Sequence, residues 1–102
     1  MRRHRTGPNP EQYPHSLIND HRLGFSAKGV LLDLLARDDN PSLNDLAAEG
    51  RKRGQGETRQ ALARWIQELE EAGYLTRHPH TPDTAPVATD VYDTSQKVEA
   101  HR

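Results

Sequence analysis

The 102-residue chain contains no cysteine. Disulfide staples, thiolate metal ligands and thiol nucleophiles are thereby excluded. Long apolar runs are missing too. None exceeds three residues, as in Val30-Leu31-Leu32, far short of the roughly 20 that a membrane-spanning helix needs. The N-terminus is basic, but no apolar segment follows it, so a secretory signal is not expected and a cytoplasmic location is. Aromatic residues make up only 5% of the chain and hydrophobic residues 32%. That suffices for one small core, with no surplus for a deep substrate cavity beneath it.

A dominant charge is also missing. Fourteen basic residues face fifteen acidic ones, for a net charge of −1, which by itself argues against a general nucleic-acid binder. The charges are segregated, however. Residues 51–64 carry Arg51, Lys52, Arg53, Arg59 and Arg64 against Glu57 alone, whereas Glu68, Glu70 and Glu71 cluster without a base. Asp33, Asp38, Asp39, Asp45 and Glu49 make a second acidic region. A near-neutral total therefore conceals a basic face, and local field governs association.

Residues 1–14, rich in Arg and Pro with almost nothing to bury, read as a flexible basic arm, and 94–102 read as a disordered tail. The domain is expected over 15–93. Its first main helix is predicted from Ser26 to Arg37, with Ser26 as N-cap and Phe25 and Val30 as a hydrophobic staple. Ala27, Val30, Leu31, Leu34 and Leu35 give it one buried stripe. Leu17, Ile18, Leu23 and Phe25 read as a short helix or extended segment lying on the same core. Ser42-Leu-Asn-Asp45 fits a capping box opening a second helix, Leu43 to Glu49, which Gly50 ends. A third is predicted from Glu57 to Ala72, with Leu62, Trp65, Ile66 and Leu69 buried and Trp65 as its core anchor. Gly73 then stands where a left-handed C′ residue is needed, and Tyr74 where a Schellman motif brings a hydrophobic contact to Leu69. Tyr74–His78 and Val87–Tyr92 read as two short strands joined by the proline-rich PHTPDTAP.

The order of helix, short helix, basic turn, long helix and hairpin is that of a winged helix-turn-helix. TRQALARWIQELEEAGYLTR resembles winged-helix regulators of the MarR type and phage or plasmid replication-initiator domains through Ala61-Leu62, Leu69-Glu70, Gly73-Tyr74-Leu75 and Arg77. LGFSAKGVLLDLLA is similar to the first helix of small bacterial proteins with this domain. The resemblance covers about residues 15–93. It implies a mainly α fold with a small β wing, three helices plus a two-stranded hairpin, and a bacterial, nucleoid-associated transcriptional regulator or accessory DNA-binding factor. It also implies that Arg77, on the wing, contacts phosphate or minor groove.

The residues point the same way. With Leu62 centred on the buried side and 100° per residue, Gln60, Arg64, Gln67 and Glu71 face outward and Ala63 flanks them. Gln and Arg pair bidentately with adenine and guanine edges, and Ala can meet a thymine methyl. Gln60, Ala63 and Arg64 are thus the expected base readers, and Thr58 and Arg59 the flanking phosphate contacts. Arg51, Lys52 and Arg53, set between glycines beside a helix N-terminus, suit phosphates as well. No Gly-Lys-Ser/Thr follows them, so a P-loop is not expected. The arm arginines Arg2, Arg3 and Arg5 are candidates for a minor groove. His78-Pro-His80 with Asp83 lacks the third and fourth ordered ligands of a metal site. No catalytic set emerges, and neither an enzyme nor a cofactor is expected. Double-stranded DNA is the expected partner, and homodimerisation or a protein partner is left open. The alternative is a winged-helix protein-interaction module that docks a partner without sequence-specific DNA binding.

Overall fold

A computed structural model describes residues 1–5, 14–52, 54 and 58–97. They form an α+β fold: β1 (Arg2–His4), α1 (His15–Ile18), α2 (Phe25–Ala36), α3 (Leu43–Lys52), α4 (Arg59–Glu71), β2 (Leu75–Thr76) and β3 (Asp90–Tyr92). The four helices and three strands exceed the expected three helices and two-stranded hairpin. The extra strand comes from the N-terminus. β3 is central, pairing antiparallel with β2 (Leu75 opposite Val91) and parallel with β1 (Arg3 opposite Val91). An isolated antiparallel bridge, Ser42 to Pro86, ties the start of α3 to the β2–β3 connection. No helix among the described residues is long and apolar enough to cross a membrane.

The core is built from α2, α4 and the sheet. Leu31, Leu34, Leu35, Ile66, Leu69 and Val91 are fully buried, the leucines and isoleucine each contributing roughly 1.5–3 kcal/mol. The stripe predicted for α2 is present, with Val30 half-buried at its margin. Trp65 departs from its expected role. It is half-buried and packs on the outside of the core, while Leu62, Ile66 and Leu69 form the buried line of α4. One residue back from Ile66 is 100° around the helix, which puts the indole on the flank.

The helix ends follow local chemistry in most places. Ser42 and Asp45 make the reciprocal capping box: Ser42 N–H donates to Asp45 Oδ2 at 3.0 Å and Asp45 N–H to Ser42 Oγ at 3.1 Å. Past Ala72 the chain makes the full Schellman pair, Tyr74 N–H to Leu69 O at 2.9 Å and Gly73 N–H to Glu70 O at 3.1 Å, with Gly73 at φ 88°. α2 is different. It starts at Phe25 with Gly24 as N-cap, and no side chain caps it. The Gly24 N–H instead donates to Glu68 Oε1 on α4 at 2.8 Å. Ser26 is therefore not the cap, and Phe25, 91% exposed, makes no staple. α3 also runs past the predicted stop: Gly50 is buried inside it, and the last turn carries Arg51 and Lys52, where cations complement the negative end of a helix.

The N-terminal residues are structured where the sequence suggested a flexible arm. Arg2 Nε pairs with Asp90 at 3.0 Å, and His4 Nε2 lies 2.9 Å from the same carboxylate while its ring stacks on Tyr92 at 4.6 Å. Arg3 donates to Leu34 O at 2.6 Å and to Asp39 O, at the end of α2. The hydrogen bond from His4 leads the contacts that hold the Asp90 carboxyl below the ordinary range. Within 94–97, Gln96 N–H donates to Gly73 O at 2.8 Å and Ser95 Oγ to Ala72 O at 2.5 Å, so the expected disordered tail begins with tethered residues. Residues 6–13 of the expected arm and 98–102 of the tail lie outside the described residues.

Tyr74 closes the core beside Asp20, its hydroxyl donating to Asp20 Oδ2 at 2.6 Å. Burial, then the bond to Asp20, pushes the phenol up to about 12. Asp20 moves the opposite way: the Arg22 hydrogen bond holds it well below the usual carboxylate range, with Tyr74 adding to the effect. A raised phenol pKa stabilises the fold fully below the unfolded value near 10 and loses that contribution as pH rises through about 12. Urea midpoints of the native protein should therefore fall across pH 10–12, and in Tyr74→Phe this part of the fall should vanish. Equal slopes in the two proteins would refute the assignment.

Candidate nucleic-acid interface

α3 and α4 pack against each other. Gly54, at φ 73°, closes the end of α3 with its N–H donating to Arg51 O at 3.1 Å. Thr58 then caps α4, its Oγ1 accepting from Ala61 N–H at 3.1 Å. α4 itself, 13 residues long, spans roughly 20 Å at 1.5 Å per residue. It packs on α2 and α3 through Leu62, Ile66 and Leu69.

On the side away from that line, Gln60, Arg64, Gln67 and Glu71 are all exposed, as the 100° arithmetic requires. Gln60 and Arg64 are one helical turn apart near the N-terminal end. Arg51 and Lys52 are exposed on the last turn of α3. Arg51, Lys52 and Arg64 make no ion pair among the described residues. Arg53 lies outside the described residues.

The remaining candidates are placed differently. The Thr58 hydroxyl is already used by the cap. Arg59 Nη1 donates to Asn44 Oδ1 at 3.0 Å and lies 3.6 Å from Asp83 Oδ2. Asp83 also accepts from Asn44 N–H through its carbonyl at 3.2 Å. Arg59 is thus part of a clasp joining α4, α3 and the β2–β3 connection. At 57% side-chain exposure it keeps a face to solvent. Ala63 is half-buried against the core. Arg77, just past β2, is half-buried, and its Nε is buried without a hydrogen-bond partner among the described residues. Of the arm arginines, Arg2 and Arg3 are engaged by the fold as described above. The clasp partners Asn44 and Asp83 escaped the sequence reading, because nothing local links positions 15 and 24 residues from Arg59 along the chain.

The acidic residues of α4 lie at its other end. Glu68, Glu70 and Glu71 all belong to the last turn of α4 or the turn before it. Asp33, Asp39 and Glu49 surround Arg37, whose guanidinium lies 3.0, 2.6 and 2.5 Å from them. Burial opposes the Arg37 charge, but the bonds to Glu49 and Asp39 outweigh it and raise the guanidinium above its ordinary value. One cation thereby ties three carboxylates of the second acidic region together between α2 and α3, and the region stays net negative. Among the described residues, no group of three or more His, Asp or Glu is placed to hold a metal ion.

Comparison with protein-family models, with curated proteins and with solved structures finds no match. The geometry and chemistry of the chain itself therefore carry the functional reading.

Proposed function

We propose that this chain is a small winged-helix DNA-binding protein that reads the major groove with α4. One observation carries the reading: α4 buries Leu62, Ile66 and Leu69 while Gln60 and Arg64 stand exposed on its N-terminal half, and Arg51 and Lys52 stand exposed on the last turn of α3, the helix packed against it. Gln and Arg are the side chains that read adenine and guanine edges, and the N-terminal part of a recognition helix is the part that enters the groove. The acidic C-terminal turns of α4 then lead away from the duplex. The element order supports the fold half of the proposal. In it, α3 and α4 form the helix-turn-helix, β2 and β3 the wing, and the Ser42–Pro86 bridge anchors the wing to the helices. Transcriptional regulation or an accessory DNA-binding role in a bacterial nucleoid is the setting for such a protein.

The free cations set the salt dependence. Arg59 is clasped, Arg77 is half-buried and Arg64 is assigned to base edges, which leaves Arg51 and Lys52 as phosphate-facing charges among the described residues. Two contacts predict a log–log slope of affinity against salt of about −2 per protomer. A titration of mixed genomic DNA from about 50 to 200 mM salt measures it. A flat dependence, or no binding at the low-salt end, would defeat the proposal.

A second reading, a protein-docking module, is favoured by Phe25 and Ile18, which are 91% and 54% exposed. Lys28 joins them, its Nζ 5.9 Å from the Phe25 ring centre and 2.6 Å from Ile18 O. Loss of DNA binding in the same titration would favour this reading.

A further inference from the structure

A hollow of about 420 Å³ opens between the first residues of the chain and the β2–β3 connection. The composition left no surplus for a cavity beneath the core, and this one lies outside it, at the surface. Its size falls within the usual range for small-molecule sites, about 300–1,000 Å³. Apolar groups make much of the wall: Met1, Pro79, Pro82, Ala85, Pro86 and Ala88. The three prolines hold their backbone φ fixed, so the wall is shaped before any ligand arrives, and little ordering is left for binding to oppose.

The charged side chains of the lining, Arg2 and Arg77, are both basic. His78 and His80 contribute as well, with Thr81 and Thr89, and no Asp or Glu is among the lining residues. Asp90 and Asp83, next in sequence to lining residues, are already paired, Asp90 with Arg2 of the lining itself. Asp90 is held by Arg2, His4 and Thr89, and Asp83 faces Arg59. Arg77 is the distinctive member. It lines the hollow, its Nε is buried with no hydrogen-bond partner among the described residues, and its permanent charge lacks a carboxylate partner there, which an anion in the hollow would supply to the guanidinium. Arg2 stands at the rim, 80% exposed.

We infer that this hollow is a binding site for a small organic anion, a carboxylate carried on an apolar body, with the Arg77 guanidinium as its anchor. The carboxylate takes the Arg77 fork, the geometry for which guanidinium and carboxylate are matched. The apolar body lies against the prolines, Ala85 and Ala88. The site does not depend on the DNA reading.

The test is a titration of the full ¹⁵N-labelled chain with benzoate and cyclohexanecarboxylate, followed by amide shifts of residues 77–81 and 85–89. Benzamide and inorganic phosphate are run in parallel. Both carboxylates should saturate at millimolar concentration or below, benzamide should bind at least about tenfold more weakly, and phosphate should not saturate. Arg77→Met should weaken benzoate at least about tenfold. Ala85→Phe, which fills the hollow and keeps Arg77, should abolish the shifts, and it decides the matter if Arg77→Met fails to fold. Benzamide matching benzoate, a folded Arg77→Met or Ala85→Phe binding like the native chain, or no saturable shift by about 20 mM would overturn the site. Phosphate or a DNA duplex shifting these amides in preference to benzoate would also overturn it, in favour of a nucleic-acid backbone contact at Arg77.

Discussion

Gly73→Ala is expected to destabilise the protein by about 2–4 kcal/mol, seen as a fall of roughly 10–25 °C in Tm. Two separate costs add. Gly73 sits at φ 88°, where a Cβ is strained against its own backbone whatever the space around it, at about 1–2 kcal/mol. The Cβ would also come within 2.7 Å of Lys97 N, 2.8 Å of Ser95 Oγ and 3.0 Å of Gln96 N. Two of these are backbone atoms, which yield less readily than the end of a flexible side chain. A chain ending at Thr94 separates the terms. There the close contacts are gone, and the same substitution should cost only the left-handed strain, about 1–2 kcal/mol. Equal costs in the two backgrounds would show that residues 95–97 do not pack over the turn. A cost below about 0.5 kcal/mol in both would show that the Schellman turn itself is not formed.

That turn was legible in the sequence because everything that makes it lies within six residues, Leu69 to Tyr74. The Ser42–Asp45 capping box was legible for the same reason. So was the split of α4 into a buried line and an exposed one, since helical periodicity converts spacing into direction without knowledge of what lies opposite. What the sequence did not yield depends on distant partners. β1 exists because Arg2 and His4 meet Asp90, and Arg3 meets the end of α2, at separations of 31 to 88 residues. Composition alone makes such a segment look like an unpaired arm. The start of α2 was misplaced because its N-cap is Gly24, held by Glu68 on another helix, rather than Ser26. α3 outran its glycine because tertiary packing buries Gly50, which outweighs a helix-propensity cost of about 1 kcal/mol. At the candidate interface the same division holds. Gln60, Arg64, Arg51 and Lys52 are exposed as read, but the clasp that engages Arg59 needs Asp83, brought up by the β2–β3 connection.

The division of labour between Arg64 and Lys52 gives the decisive mutational result expected for the DNA proposal. Arg64 faces outward on α4 one turn beyond Gln60, a position for base edges, whereas Lys52 ends α3 and faces only backbone in that geometry. Arg64→Ala should cost roughly 1–3 kcal/mol on the preferred site and little on random DNA, flattening sequence preference. Lys52→Ala should weaken both about equally and reduce the salt slope by about 1. The preferred site comes first from sequence selection with the native chain, and both variants are then compared on it and on random duplex at one salt concentration. Neither side chain is buried, so both variants should keep the native Tm, and a loss of binding cannot be laid to unfolding. A folded Arg64→Ala that binds preferred and random DNA like the native chain would remove α4 as the reading head. The exposed Phe25 and Ile18 would then carry the better account, with the basic face around Arg51 and Lys52 serving a protein partner.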